Sequence, residues 1–383
     1  MNIGITCYPT YGGSGVVATE LGKELARRGH KVHFISYALP FRLDAFHENI
    51  VFHEVETPDY PLFEVDLYPL ALTSKMIDVV LYEGLDVLHV HYAIPHATSA
   101  YMAKLILAEQ GRDIKIITTL HGTDITLAGL DPTLMPLVRF SLEKSDGVTA
   151  VSRSLKQNTL THFNLDLPIE VIPNFVNIEE WQRRPSEKLR AQFSPNGEAV
   201  LVHASNFRPV KRVTDVVRVF KQVREKVPSK LVMVGDGPDR AEAEMLCREL
   251  DICSDVRFLG KQTALPEIFS ASDLFLMPSQ QESFGLSALE AMACGLPALT
   301  SSVGGIPELN VHGQTGYISE IGDTDRMARY AIDLITHTRK YEQFSKAARD
   351  RAVNHFSHTD IVPMYEDYYR RVLEQQTVGV ADV

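Results

Sequence analysis

Two carboxylates eight positions apart, Glu282 and Glu290, flank a Phe-Gly-Leu turn in the stretch Gln281-Glu282-Ser283-Phe284-Gly285-Leu286-Ser287-Ala288-Leu289-Glu290-Ala291-Met292-Ala293-Cys294-Gly295-Leu296-Pro297. Apolar residues at helical spacing, Leu286, Leu289, Met292 and Ala293, start between them. The sequence therefore predicts Glu282 in a loop and Glu290 one to two turns into a helix. Bare backbone N–H groups where a glycine opens a helix are a docking point for an anion. The two carboxylates cannot serve that anion and should accept hydrogen bonds from neutral hydroxyls. A ligand with phosphates and several hydroxyls, such as a nucleotide sugar, meets both demands.

Other residues offer complementary chemistry. Arg208, Lys211 and Arg212 crowd into five positions after the apolar run Ala199–Ala204, either as a diphosphate clamp or as exposed charges at a helix start. Tyr11-Gly12-Gly13-Ser14-Gly15 lies between an apolar strand and a helical pattern, as a ligand loop or simply a tight turn. It does not spell G-x-G-x-x-G, and no acidic residue closes the next strand at Ser36, so a dinucleotide site is disfavoured. His121, followed by Gly122 after the strand Ile114–Leu120, could orient a hydroxyl or be a core histidine satisfied by a carbonyl. Arg139 near a helix end could complement the helix dipole or fork a carboxylate, and Arg42 could meet an anion or water. His89, His91 and His96 invite a metal reading, but no nearby Asp or Glu completes the set, so no metal site is expected there.

The elements that must position these residues alternate strand and helix. Met1–Cys7, the glycine loop, a helix ending at Gly29 and the strand Val32–Ser36 make a βαβ unit with a nearly obligatory right-handed crossover. An excursion from Tyr37 to Leu72 carries a short strand at 50–55, and strands follow at Val87–His91, Ile114–Leu120, Gly147–Ser152 and Ile169–Val176. The polar stretch from Ile178 to Asn196, with prolines at 185 and 195, reads as a linker. The pattern restarts at Ala199 and continues through strands near 230, 256, 274, 297 and 315, which implies a second doubly wound sheet. Ile361, Met364, Tyr365, Tyr368 and Val372 share one helical face, so a terminal helix is expected to pack back on the first domain, with a loose tail from Thr377.

Composition bounds the function classes. The 383 residues suggest two domains, and 45% hydrophobic with 23% charged residues is ordinary for a soluble globular chain. A net charge of −11 argues against non-specific nucleic-acid binding or a basic membrane face. Four irregularly spaced cysteines suggest neither zinc knuckle nor disulfide framework, so a reducing cytoplasm is the expected location. The first residues lack a basic signal-peptide start, and no apolar run approaches a membrane span.

The glutamate pair in its full context, with Gly304-Gly305-Ile306-Pro307-Glu308 and Gly313-Gln314-Thr315-Gly316-Tyr317, resembles the retaining GT-B glycosyltransferases over nearly the whole chain. That resemblance implies an α/β fold of two facing Rossmann-like, doubly wound parallel-sheet domains with a cleft between them. The acceptor domain would span 1–170 with the helix at about 360–377, and the nucleotide-sugar domain 171–359. Within the family, Gly4-Ile5-Thr6-Cys7-Tyr8-Pro9-Thr10, Pro40-Phe41-Arg42-Leu43, His91-Tyr92-Ala93-Ile94-Pro95-His96-Ala97, Thr118 to Thr126 and Ser205-Asn206-Phe207-Arg208 are similar to one branch. That branch joins N-acetylglucosamine to L-malate at the start of bacillithiol biosynthesis. It implies UDP-N-acetylglucosamine as donor, L-malate as acceptor, retained anomeric configuration and a homodimer or higher homo-oligomer.

Carried over by position, Glu282 meets donor sugar hydroxyls, Glu290 the ribose hydroxyls, Lys211 the phosphate and His121 the sugar's primary hydroxyl. Gly13, Asn206, Phe284, Gly285 and Leu286 complete the donor contacts, and Ser14, Tyr92, Thr119 and Arg139 receive malate. Asn206 replaces an arginine found in many relatives, which leaves Arg208 as second phosphate cation and Arg212 in reserve. His121, Glu282 and Lys211 are the catalytic candidates, with no metal or other cofactor expected. The alternatives are another acceptor on the same fold, a UDP-sugar epimerase, and a non-catalytic nucleotide-sugar sensor.

Overall fold

Runs such as Val87-Leu88-His89-Val90 and Val200-Leu201-Val202 do not alternate with polar residues, as strands covered on both faces require. In the computed structural model, which describes residues 1–43, 45–57, 67–126 and 131–375, these runs are central parallel strands and fully buried. The chain divides into two units. Met1–Pro173 with the segment from Ile361 forms one, and Asn174–Asp360 the other.

The first unit carries β1 (Asn2–Thr6), β2 (Lys31–Ser36), β3 (Ile50–Glu54), β4 (Val87–His91), β5 (Lys115–Leu120), β6 (Gly147–Ala150) and β7 (Ile169–Val171). They form a parallel sheet in the order β3-β2-β1-β4-β5-β6-β7. The second carries β8 (Ala199–Ala204), β9 (Ser229–Val234), β10 (Val256–Gly260), β11 (Leu274–Met277), β12 (Ala298–Ser301) and β13 (Gly316–Ser319), in the order β10-β9-β8-β11-β12-β13. In each sheet the winding reverses beside the first strand, between β1 and β4 and between β8 and β11. Loops leaving the C-terminal ends of these strand pairs diverge there, and such crevices receive ligands.

Helices cover the sheets through apolar stripes. In the helix Val213–Arg224, Val213, Val216, Val217, Phe220 and Val223 are buried against Met327, Ala328, Ala331 and Leu334 of the helix Thr324–Thr336. Leu72, Met76, Val79 and Val80 of the helix Tyr68–Glu83 do the same in the first unit, opposite Ala100, Ala103 and Leu107. That helix starts four residues before Leu72, because Pro69 supplies a preset φ in its first turn.

The last helix, His358–Glu374, seals the first unit. Tyr369 is fully buried with Oη 2.7 Å from His89 Nδ1, and Tyr368 Oη donates to the Val148 carbonyl at 3.2 Å. Glu366 accepts two bonds from Arg28, at 2.9 and 2.8 Å, and lies 2.8 Å from His30 Nε2.

The stretch 178–196 is a correction. It holds the helix Glu187–Phe193, buries Trp181 and Phe193, and ties into the second unit through Arg190 to Asp273 at 2.8 Å and Arg349 to the Trp181 carbonyl. The polar composition that suggests a linker is the outer face of this helix, and the chain changes units earlier, after Pro173. Of the Tyr37 to Leu72 excursion, residues 44 and 58–66 lie outside the described residues, as does the tail from Thr377.

Candidate functional site

In the second unit the loops after β8 and β11 converge on one ion pair. Lys211 closes a 3-10 turn, Pro209–Lys211, and its Nζ donates to Glu282 Oε1 at 2.6 Å. Ser279 Oγ donates to the same oxygen at 2.8 Å, so a loop following β11 supplies both the carboxylate and the group that orients it. Ser301 at the end of β12 in turn bonds the Ser279 carbonyl. Gly304 lets the next loop approach. Its φ is +51°, and a Cβ there would sit 1.9 Å from the Glu282 carbonyl oxygen.

The helix Leu286–Ala293 opens at Gly285, with φ +96°, and has neither a side-chain cap nor an acidic residue in its first turn. Its N–H groups and positive dipole end stand just after Glu282 in the chain, as an anion site requires. Glu290 is buried in the middle of this helix, 4% exposed. Leu286 is its first residue and partly exposed. The Phe284 ring is 2% exposed and packs edge-on against Phe356 at 5.4 Å, so it belongs to the core.

On the β8 side, Arg208 is exposed at the start of the turn, whereas Arg212 is engaged with Asp215 at 2.6 Å. Asn206 is partly exposed, with its Oδ1 buried and without a hydrogen-bond partner. A residue not anticipated from sequence, His203, holds this loop. Its Nδ1 donates to the Leu276 carbonyl at 2.8 Å, and its Nε2 accepts from Ser205 Oγ at 2.8 Å, which accepts from Phe207 N–H at 3.3 Å. Burial pushes His203 down to about 4, the neutral state this relay needs. The signal lay in the sequence: a histidine one residue before the end of a buried strand needs partners for both ring nitrogens, here the neighbouring strand β11 and the loop after β8.

In the first unit, β1 delivers the glycine loop and β4 and β5 deliver the histidines. The helix Gly13–Arg27 also opens without a side-chain cap, at Gly12, with Gly13 as its first residue. Ser14 Oγ accepts from Tyr92 Oη at 2.8 Å. Tyr92 has φ +102° and ψ 139°, a conformation costly for a bulky residue and found where a fold over-determines it. Its ring lies 5.8 Å from that of His121 and 5.2 Å from that of Tyr8. His121 is partly exposed, its Nε2 is 2.7 Å from His91 Nδ1, and the two rings stack at 5.0 Å. Burial holds His121 at about 3 and His91 far below the ordinary histidine range, so both are neutral hydrogen-bonding groups. Ser14, Tyr92 and His121 are therefore one group.

Thr119 and Arg139 do not join it. Thr119 is fully buried, its hydroxyl 2.6 Å from His89 Nε2 and 2.6 Å from Thr149 Oγ1. The hydroxyl belongs to a network inside the sheet, since β5 turns this residue inward. Arg139 is exposed on the helix Met135–Glu143 and pairs with Glu143 at 2.8 Å. His89 is saturated by Tyr369 and Thr119, which accounts for it as a structural histidine. Cys7, Cys247 and Cys294 are buried with thiols pushed up to about 12, so none is a nucleophile at neutral pH.

The family model described as Glycosyltransferase Family 4 matches residues 11–180, and that described as Glycosyl transferases group 1 matches residues 185–351. N-acetyl-alpha-D-glucosaminyl L-malate synthase of Bacillus anthracis is 48% identical over 380 residues, covering 99% of each chain. An uncharacterized glycosyltransferase of Methanocaldococcus jannaschii is 27% identical over 80% of each. The crystal structure of the Anabaena protein HepE in complex with UDP and glucose superposes with a TM-score of 0.82 at 20% identity, over 97% of this chain and 99% of that one. It shares the fold: two parallel-sheet α/β domains.

Proposed function

The chain belongs to the two-domain glycosyltransferases, family 4 in its N-terminal half and group 1 in its C-terminal half, and on that premise we propose its reaction. It transfers N-acetylglucosamine from UDP-N-acetylglucosamine to the hydroxyl of L-malate with retention at the anomeric carbon, opening bacillithiol biosynthesis. What carries the acceptor is the near-full-length 48% identity to the Bacillus anthracis enzyme of that name.

In this reading Lys211, Arg208 and the N–H groups at Gly285 hold the diphosphate. They stabilise charge on the departing UDP, where electrostatic catalysis is strongest. Glu282 accepts from sugar hydroxyls and Glu290 from ribose hydroxyls. His121, neutral and braced by His91, meets the sugar's primary hydroxyl. Ser14 and Tyr92 receive malate, and Arg139 leaves its exposed pair with Glu143 for a malate carboxylate. Such a pair is worth only a few tenths of a kcal/mol. The bond from the anomeric carbon to the phosphate oxygen breaks as the bond to malate's hydroxyl oxygen forms on the same face, and the hydroxyl proton passes to the leaving phosphate. With Lys211 and backbone N–H groups neutralising the phosphates, no metal cofactor takes part.

The test is UDP release from UDP-N-acetylglucosamine with a panel of hydroxy acids, with and without EDTA. Release with L-malate, unaffected by EDTA, is expected. Activity with no hydroxy acid would sink the malate assignment, and abolition by EDTA would sink the metal-free mechanism.

A further inference from the structure

Three side chains outside the reaction machinery meet at the β3 edge of the first sheet. His33 lies on β2, His53 on the edge strand β3, and Glu83 is the last residue of the helix Tyr68–Glu83. One ligand atom from each lies within 4.8 Å of the others. His33 Nδ1 and His53 Nε2 are 3.0 Å apart, with the rings stacked 24° from parallel. At a metal–nitrogen bond of about 2.05 Å, a 3.0 Å nitrogen separation is an angle of roughly 94°, and opening it to tetrahedral needs only ~0.35 Å.

The surroundings suit a cation. His33 is buried, His53 is half-buried and Glu83 is exposed, so the cluster opens outward at its carboxylate. The helix C-terminus places its negative dipole end beside Glu83. Glu83 acts in favour of a cation at both rings, while Lys31 acts against one at His33 and Lys75 at His53. Glu83 stands where the helix returns toward the N-terminal ends of the strands, His33 is the third residue of β2, and His53 pairs with Ile35 one residue before the end of β2. The glycine loop, Tyr92 and His121 follow β1, β4 and β5, strands farther into the sheet from this edge.

We propose that His33, His53 and Glu83 bind one borderline divalent transition-metal ion of the zinc class, with water completing the coordination, as a clasp that fastens β3. Two imidazoles and a carboxylate are the donor set such ions prefer over calcium or magnesium. Among the described strands β3 pairs with β2 alone, and its Val51 and Glu54 are exposed, so this edge has the most to gain from a cross-link.

The experiment titrates Zn²⁺ into the metal-stripped full chain by calorimetry, alongside His53→Gln and Glu83→Gln, with melting temperature and UDP release as further readouts. One equivalent should bind and raise the melting temperature of the parent chain. Affinity should fall at least about tenfold in His53→Gln and measurably in Glu83→Gln, while metal-free UDP release stays unchanged in both. His53 is on an edge strand and Glu83 at an exposed helix end, so circular dichroism should report folded variants. Zinc binding that is equal in all three proteins, or absent from the parent chain at about 0.1 mM metal, would overturn the proposal.

Discussion

Lys211 and Glu282 are 71 positions apart in sequence and in contact through one carboxylate oxygen, which Ser279 also holds. A partly buried carboxylate that loses its cation keeps one hydroxyl partner, so Lys211→Ala removes a phosphate ligand and loosens Glu282 together. We expect kcat to fall by about 10²–10³ in a UDP-release assay. A loss confined to the donor KM would show that Lys211 only binds. Arg139→Ala should instead raise the malate KM by about tenfold or more and leave the donor KM unchanged, because the pair it abandons with Glu143 is exposed and weak. Movement of the donor KM alone would remove Arg139 from the acceptor site. The loop placement of Glu282, Lys211 and His121 was legible in sequence because each stands just past an apolar strand. The burial of Thr119 and Phe284 was not. Neither strand period nor motif tells whether a hydroxyl near a strand end points into the sheet, or whether a loop phenylalanine is absorbed by a partner such as Phe356, 72 residues away.

At the scale of elements, the loops after β11 and β12 are packed backbone to backbone through Gly304. A methyl group there meets the Glu282 carbonyl, and the φ of +51° is costly for any side chain. Gly304→Ala should therefore displace the Glu282 loop and lower kcat/KM at least about tenfold, with a stability loss of about 1–3 kcal/mol by urea unfolding. Gly29→Ala is the control: its φ of +88° is equally demanding, but a Cβ there meets nothing within 4 Å. It should cost stability and leave kcat/KM alone; an equal activity loss in both would refute the loop argument. The strands and their doubly wound order were readable from apolar runs and glycine loops. The error at 178–196 came from polar composition, since a seven-residue helix anchored by Trp181, Phe193 and Arg190 shows few apolar residues in sequence. The His33, His53 and Glu83 cluster was invisible because its members come from three elements that only the sheet order brings together.

For the molecule as a whole, four fully buried histidines set the response to acid. His89 is held at about 3, His96 and His203 at about 4, and His91 well below 6.5, in each case first by burial. In the unfolded chain they titrate near about 6.5, so below that pH the unfolded state binds more protons than the native one. Stability should be full above about pH 6.5 and fall toward about pH 4, by up to about 1.4 kcal/mol per pH unit for each histidine. Urea midpoints at about pH 7.5 and 5 check this, and a midpoint that holds or rises at the lower pH would contradict it. Connectivity adds a consequence in time. The first unit is built from residues before 174 and after 360, with the whole second unit between them. A ribosome releases β4 long before Tyr369, so His89 Nδ1 waits for its partner through 280 further residues of synthesis, and Arg28 waits for Glu366 through 338. The half that begins first is therefore the half that finishes last.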